Sequence, residues 1–294
     1  MTAAKTVRAL SLRGDDHLAP FRWFGSRPKA STQEATPGDR VIYAVGDVHG
    51  CEALLTRLVQ AIVEDVAGLR PTGLPVLLFV GDYVDRGPDS KGVIDRLIEL
   101  QADPRFETCT LKGNHEEALL TFLQDAAFGQ TWADYGGLQT LLSYGVTPPA
   151  LRTNLEEWER VRVTFGEAIP RSHLSFFTGL ELMANYGDYT FVHAGVRPGV
   201  ALQDQDEHDL LYIRREFLDA RRPAESVIVH GHTPEAAPFL GDYRIGIDTG
   251  AYATGTLTAV RLNGSERTIL QVGNVQPSLT PMRRGHQRED TGRR

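Results

Sequence analysis

The sequence predicts an α/β protein: a four-layer αββα-type sandwich of two mixed sheets packed together, with outer helices and a helical insertion. Three observations carry this expectation. Short apolar runs alternate with helix-periodic stretches between residues 41 and 124. Three of those runs end in Gly-Asp or Gly-Asn. After a helix-rich interval near 128–177, a second series of short strand-like runs begins.

Val41-Ile42-Tyr43-Ala44-Val45 is a buried-type strand ending in Gly46-Asp47. Glu52 to Val66 then carries Leu54, Leu55, Leu58, Ile62 and Val66 at helical spacing. Val76 to Val80 is a second strand, ending in Gly81-Asp82, and Val93 to Leu100 a second amphipathic helix. Thr108 to Leu111 ends at Gly113-Asn114-His115, with a helix predicted over Glu116–Gln124. This β-α-β-α-β-α order implies a buried sheet with helices outside. The insertion holds Trp132, Tyr135, Trp158 and Phe165 and is expected to cover one side of a site. Strands are then expected at 181–185, 189–193, 226–230, 243–247 and 256–262, as a second, largely antiparallel sheet.

Residues 1–39 read as an extension and linker, with an aromatic group at Phe21, Trp23 and Phe24 that is expected to dock on the body of the protein. The body spans 40–275. The arginine-rich stretch 276–294 reads as a solvated tail. Two cysteines, Cys51 and Cys109, make no disulfide framework; with no secretory signal and no long apolar span, a cytoplasmic location without membrane contact is expected. A net charge of −7 disfavours a nucleic-acid polymer as partner.

The chemistry lies at the strand ends. In open α/β sheets functional groups gather at the carboxyl ends of strands, which brings Asp47, Asp82 and Asn114 toward one edge. His49, two residues beyond Asp47 in an extended segment, points the same way. His193 and His232 follow later strand-like runs, each beside glycine, whereas His230 lies inside a run and reads as a core residue. Six mixed oxygen and imidazole ligands suit Mn, Fe or Zn. They are too many for one catalytic ion with an open position, so two metals sharing a carboxylate are expected.

Gly46-Asp47-Val48-His49-Gly50, Gly81-Asp82-Tyr83-Val84-Asp85-Arg86-Gly87 and Gly113-Asn114-His115-Glu116 resemble the signature of the phosphoprotein phosphatase family of metallophosphoesterases. His193-Ala194-Gly195 and Gly231-His232-Thr233 resemble its bacterial branch. The resemblance implies that Asp47, His49 and Asp82 hold one divalent metal and Asp82, Asn114, His193 and His232 the other, with manganese the family expectation. It implies that a hydroxide between the metals attacks phosphorus, that Arg86 and Asn114 bind the phosphate, and that His115, partnered by Asp85, protonates the leaving oxygen. Arg214, in Tyr212-Ile213-Arg214-Arg215, resembles the second phosphate-binding arginine, with Arg215 as a rival.

Neighbouring families differ at named positions. Purple acid phosphatases are similar but need tyrosine where Asp85 stands. Symmetrical diadenosine tetraphosphate hydrolases typically carry alanine there, and aspartate where Glu116 stands. Asp85 and Glu116 therefore tilt the expectation to a serine/threonine protein phosphatase, with phosphotyrosine as a further candidate substrate and phosphoproteins or phosphopeptides as partners. The alternative is a hydrolase of dinucleoside polyphosphates or nucleotide-capped RNA. An inactive phosphate-binding scaffold would require a missing ligand or acid, and none is missing.

Overall fold

The structure is a computed structural model and describes residues 35–273 together with the backbone of a short strand, Thr280–Pro281. The aromatic group at 21–24 and the rest of the arginine-rich stretch lie outside the described residues. Strands β1 (Val41–Val45), β2 (Val76–Phe79) and β3 (Glu107–Thr110) alternate with helices α1 (Glu52–Leu69), α2 (Ser90–Gln101) and α3 (Asn114–Gln124). Four helices follow: α4 (Gly129–Asp134), α5 (Gly137–Ser143), α6 (Leu155–Ala168) and α7 (Arg171–Thr178). The chain continues through β4 (Met183–Tyr186), β5 (Tyr189–Val192), α8 (Glu207–Tyr212), α9 (Arg215–Leu218) and β6 (Val227–His230). It ends with β7 (Phe239–Leu240), β8 (Arg244–Gly246), α10 (Ala251–Thr254), β9 (Thr256–Asn263), β10 (Glu266–Gly273) and β11 (Thr280–Pro281).

Two mixed sheets result, as the fold class requires. The first runs β11-β10-β9-β1-β2-β3, and the second β4-β5-β6-β8-β7. Strands β1, β2 and β3 are parallel, with α1 and α2 as crossovers. Two expectations are corrected. The second sheet is not largely antiparallel, because β5, β6 and β8 run parallel and only β4 and β7 reverse direction. The run near 256–262 does not join that sheet: β9 pairs antiparallel with β1. Its alternate residues explain why. Leu257 and Ala259 face the helices, while Val260 and Leu262 face the other sheet. A strand apolar on both faces belongs in an interior position rather than at an edge. Strand β10, which pairs with β9 over its whole length, was not anticipated.

Between the sheets lies one core of Ile42, Ala44, Leu78, Val80, Leu111, Val260 and Leu262 against Tyr189, Phe191, Val229, Ile245 and Ile247. A larger core joins the outer face of the first sheet to α1, α2, α3 and the helices after them. The second sheet's outer face is closed by Leu210, Ile213 and Phe217 from α8 and α9. Among the described residues no helix is long and apolar enough to cross a membrane.

Phe191 has no exposed surface at the centre of the inter-sheet core. Phe191→Ala is expected to destabilise the protein by about 3–5 kcal/mol, read as a lowered chemical-denaturation midpoint. A loss below about 1 kcal/mol would mean that the sheets do not share this core.

Candidate functional site

Five loops meet at the carboxyl ends of β1, β2, β3, β5 and β6. Asp47, His49, Asp82, Asn114, His193 and His232 are all buried there. The turns are tight: His49, Asp82, Asp85, Arg86 and His232 all have positive φ, between 45° and 71°. Such backbone costs roughly 1–3 kcal/mol per residue and persists only where surroundings over-determine it.

Glu116 supplies much of that determination. Its carboxylate accepts hydrogen bonds from the backbone N–H groups of Asp82 (2.9 Å), Tyr83 (2.8 Å), Val84 (3.2 Å) and Gly113 (2.9 Å). One side chain at the start of α3 thus ties the loop after β2 to the loop after β3. The loop after β1 is tied in turn, because Val48 and His49 donate their N–H groups to the Asp82 carbonyl at 3.0 and 2.9 Å.

The ligand atoms form two groups that share Asp82: His49, Asp82 and His115 in one, Asp82, His193 and His232 in the other. Asp82 Oδ2 lies 3.5 Å from His49 Nε2, and Asp82 Oδ1 lies 3.4 Å from His193 Nε2. Asn114 Oδ1 lies 2.9 Å from His193 Nε2 and 2.7 Å from His232 Nδ1. Backbone carbonyls orient two of the rings: His49 Nδ1 meets Val84 O at 2.9 Å, and His193 Nδ1 meets Val80 O at 3.0 Å. Asp47 Oδ1 and His232 Nε2 are buried with no hydrogen-bond partner. Asp47 approaches Gly231 so closely that a Cβ there would overlap Oδ1.

Five carboxylates are buried in this region: Asp47, Asp82, Asp85, Glu116 and Asp248. Burial, then the charges of Asp248 and Asp82, push the Asp47 carboxyl well above its usual range. Burial opposes ionisation of Asp82 as well, but the imidazoles of His193, His115, His49 and His232 outweigh it and hold its carboxyl low. Burial lowers His49 to about 3 and His232 to about 2, so both rings are neutral and their lone pairs are available to a cation. Concentrated negative charge, neutral imidazoles and orphaned polar atoms fit a divalent-cation site.

His115 behaves differently. Burial works against its charge, but Asp82 and then Asp85 outweigh burial and raise its pKa. Its Nδ1 lies 2.7 Å from Asp85 Oδ2, and its Nε2 lies 3.9 Å from Asp82 Oδ2. A raised pKa favours the protonated imidazole, which can donate a proton but offers no lone pair to a cation.

Residues missed in the sequence hold this pair. Trp132 Nε1 donates to Asp85 Oδ2 at 3.0 Å, and Thr140 Oγ1 donates to Asp85 Oδ1 at 2.6 Å. The Asp85 N–H in turn meets Thr140 Oγ1 and Ser90 Oγ. Arg86 N and Nε donate to the Gly136 and Tyr135 carbonyls, and Arg86 Nη1 donates to the Tyr252 hydroxyl at 3.1 Å. The segment 129–143 therefore fixes both Asp85 and Arg86. Asp248 was also missed, although it follows an apolar run much as Asp47 and Asp82 do.

Arg214 reaches the site, with Nη1 3.3 Å from Thr233 Oγ1; burial first, and its charge as a smaller cause, hold His193 and His232 low. Arg215 is exposed on α9. His230 is buried inside β6, with Phe217 against its ring at 4.9 Å, and takes no part in either ligand group. Cys51 and Cys109 are free, and burial pushes their thiols up to about 11 and about 12. Neither is an activated nucleophile.

Glu116→Gln places an amide NH2 among backbone donors. It is expected to cost about 1–3 kcal/mol of stability and to weaken divalent-cation binding, read by thermal unfolding and metal analysis together. Unchanged values of both would mean that the loops are held without this carboxylate.

Comparison with known proteins corrects the expected substrate. A bis(5′-nucleosyl)-tetraphosphatase PrpE [asymmetrical] of Anoxybacillus flavithermus is 28% identical over 237 residues, covering 74% of this chain and 88% of that protein. Its namesake from Geobacillus thermodenitrificans is 27% identical over 258 residues, covering 80% and 95%. A crystal structure described as a candidate diadenosine tetraphosphatase superposes with a TM-score of 0.54 at 20% identity, covering 82% of this chain and 96% of that one, which shows a shared fold. These names overturn the expectation of a serine/threonine protein phosphatase with phosphoprotein partners. The physical reason is visible in the two residues that had tilted the choice: Asp85 and Glu116 have no exposed surface. They hold backbone and side chains from beneath and touch nothing that distinguishes one phosphate ester from another. The profile described as calcineurin-like phosphoesterase matches residues 40–263, from β1 to β9, and so takes in every loop that builds this site; the chain belongs to the calcineurin-like phosphoesterase family.

Proposed function

We propose that the chain is a divalent-cation-dependent hydrolase of dinucleoside polyphosphates that cuts a bis(5′-nucleosyl) tetraphosphate unequally. The observation that carries this reading is the set of relatives named as asymmetrical bis(5′-nucleosyl)-tetraphosphatases, matched over 88% and 95% of their length. The buried carboxylate and imidazole cluster supports the cation requirement.

In this reading Asp47, His49 and Asp82 hold one cation, and Asp82, Asn114, His193 and His232 hold the other, with manganese the proposed ion and Fe or Zn compatible with the same donors. Bound there, the pair would supply Lewis-acid charge and an acidified water. Arg86 and Arg214 offer guanidinium forks to the phosphoryl oxygens, where fixed positive charge is worth most as negative charge develops. His115 donates its Nε2 proton to the departing oxygen, while Asp85 holds the other ring nitrogen. Water oxygen bonds to a terminal phosphorus, the P–O bond to the bridging oxygen breaks, and a nucleoside monophosphate and a nucleoside triphosphate leave.

The test is a comparison on metal-stripped protein resupplied with Mn2+. Diadenosine tetraphosphate is expected to be turned over with kcat/KM at least about tenfold above phosphoserine, phosphothreonine and phosphotyrosine peptides, a difference of about 1.4 kcal/mol. Unequal products, AMP and ATP, are expected. A preference for phosphopeptides, or two molecules of ADP as product, would overturn the reading. Asp82→Asn is expected to lose at least about a hundredfold in kcat, since even outer partners of a metal site are worth about 10–100-fold. Full turnover in that variant, with metal content verified, would refute a shared carboxylate.

A further inference from the structure

Next to the cation site lies a cavity of about 500 Å3, lined in part by Cys51, Leu54, Arg57, Pro88, Ala251 and Tyr252. Tyr252 is the residue common to cavity and site. Its ring centroid is 5.3 Å from that of His49, edge to face, and the Arg86 guanidinium carbon stands 4.8 Å over the ring. Yet Tyr252 is 42% exposed, an unusual position for an aromatic side chain at a buried polar centre. The Tyr252 hydroxyl meets Arg86, so the ring is anchored at its polar end, with Arg86 over the ring and His49 against it, while the rest of its surface stays partly exposed.

The cavity's chemistry suits a nucleoside. Leu54, Pro88 and Ala251 give it apolar surface. Glu52 and Asp89 also line it; Glu52 Oε1 already accepts from the Thr56 hydroxyl and Asp89 Oδ1 from the Gly92 N–H, and the remaining lone pairs of each carboxylate can accept from ribose hydroxyls or a base amine. Arg57 is exposed and makes no hydrogen bond or ion pair among the described residues. The volume falls in the range of pockets for small ligands, about 300–1,000 Å3. The geometry of the reaction adds a constraint. Attack at the terminal phosphorus, the route proposed above, acts on an atom that still carries a nucleoside on its 5′ oxygen. That nucleoside must lie immediately beside the cation site, and Tyr252 forms the wall there.

We propose that this cavity receives the nucleoside attached to the attacked phosphorus, with its base stacked on the Tyr252 ring. The proposal rests on the reading of the chain as a dinucleoside polyphosphate hydrolase, and its test separates the two. AMP is titrated calorimetrically into Mn2+-loaded protein, and diadenosine tetraphosphate and 4-nitrophenyl phosphate hydrolysis are measured in parallel, for wild type, Tyr252→Phe, Tyr252→Leu and a variant of Ala53, which lines the cavity from α1 away from the cation ligands, Ala53→Trp. Base–aromatic stacking predicts about a tenfold loss of AMP affinity in Tyr252→Leu and in the cavity-filling Ala53→Trp. Tyr252→Phe keeps the ring and is expected to stay within about threefold of wild type, whereas a role confined to holding Arg86 through the hydroxyl would make Phe as damaging as Leu. KM for diadenosine tetraphosphate is expected to rise in parallel, with 4-nitrophenyl phosphate turnover by Ala53→Trp unchanged. Equal AMP affinity in all four proteins, or Phe and Leu failing alike, would overturn the subsite and leave the hydrolase reading intact. Ring-dependent AMP binding in a wild-type protein that spares diadenosine tetraphosphate would support the subsite and overturn the hydrolase reading.

Discussion

The carboxylate of Glu116, fully buried, collects four backbone N–H groups from two loops. The rest of the site depends on that convergence. Burial, and then the charge of Asp82, push its pKa up to about 7, against the amides of Tyr83 and Gly113 and the charge of His115, which stabilise the charged form. Positive φ at Asp82, Asp85 and Arg86 would not persist in a free loop. Here each residue is pinned from more than one side. The Asp82 amide binds Glu116 while its Oδ1 accepts the His115 amide at 3.0 Å. The Asp85 amide binds two hydroxyls, and the Arg86 amide binds the Gly136 carbonyl. Strain in the backbone and order in the site are two aspects of one arrangement.

The same convergence creates an electrostatic problem that the protein alone does not resolve. Asp47, Asp82 and Asp248 face one another out of water, with Asp47 Oδ1 left without a donor. Isolated buried carboxylates are costly, and two arginines at the rim do not balance them. Divalent cations would balance them. Binding and folding are coupled in sites of this kind.

The strand-end glycine motifs made the positions of Asp47, His49, Asp82, Asn114, His193 and His232 legible, because a residue that ends a parallel strand at a sharp turn has few places to go. The strands themselves were legible for the same reason: buried runs of Val, Leu and Phe bounded by Gly. Partners distant in sequence were not. Nothing local to Trp132 or Thr140 signals that Asp85, tens of residues earlier, accepts their hydrogen bonds. β9 was assigned to the wrong sheet because a short apolar run does not state its neighbour. The substrate was misjudged from Asp85 and Glu116, residues whose environment only the fold reveals. Tyr252, by contrast, stands exposed where a substrate would pass, and no motif marked it.

Trp132 stacks on Phe122 at 4.8 Å and contacts Phe165 at 5.6 Å, while its indole N–H binds Asp85. One side chain thus belongs at once to the apolar core of the helical insertion and to the hydrogen bonds around the Asp85–His115 pair. Local opening of that core, an event with its own free energy in most proteins, would withdraw the indole and release Asp85 and His115 together. The insertion is therefore no removable ornament on a catalytic sheet. Shortening or replacing it would take away the indole and hydroxyl beneath this histidine, so the segment between β3 and β4 is tied to the site as closely as the strand-end loops are.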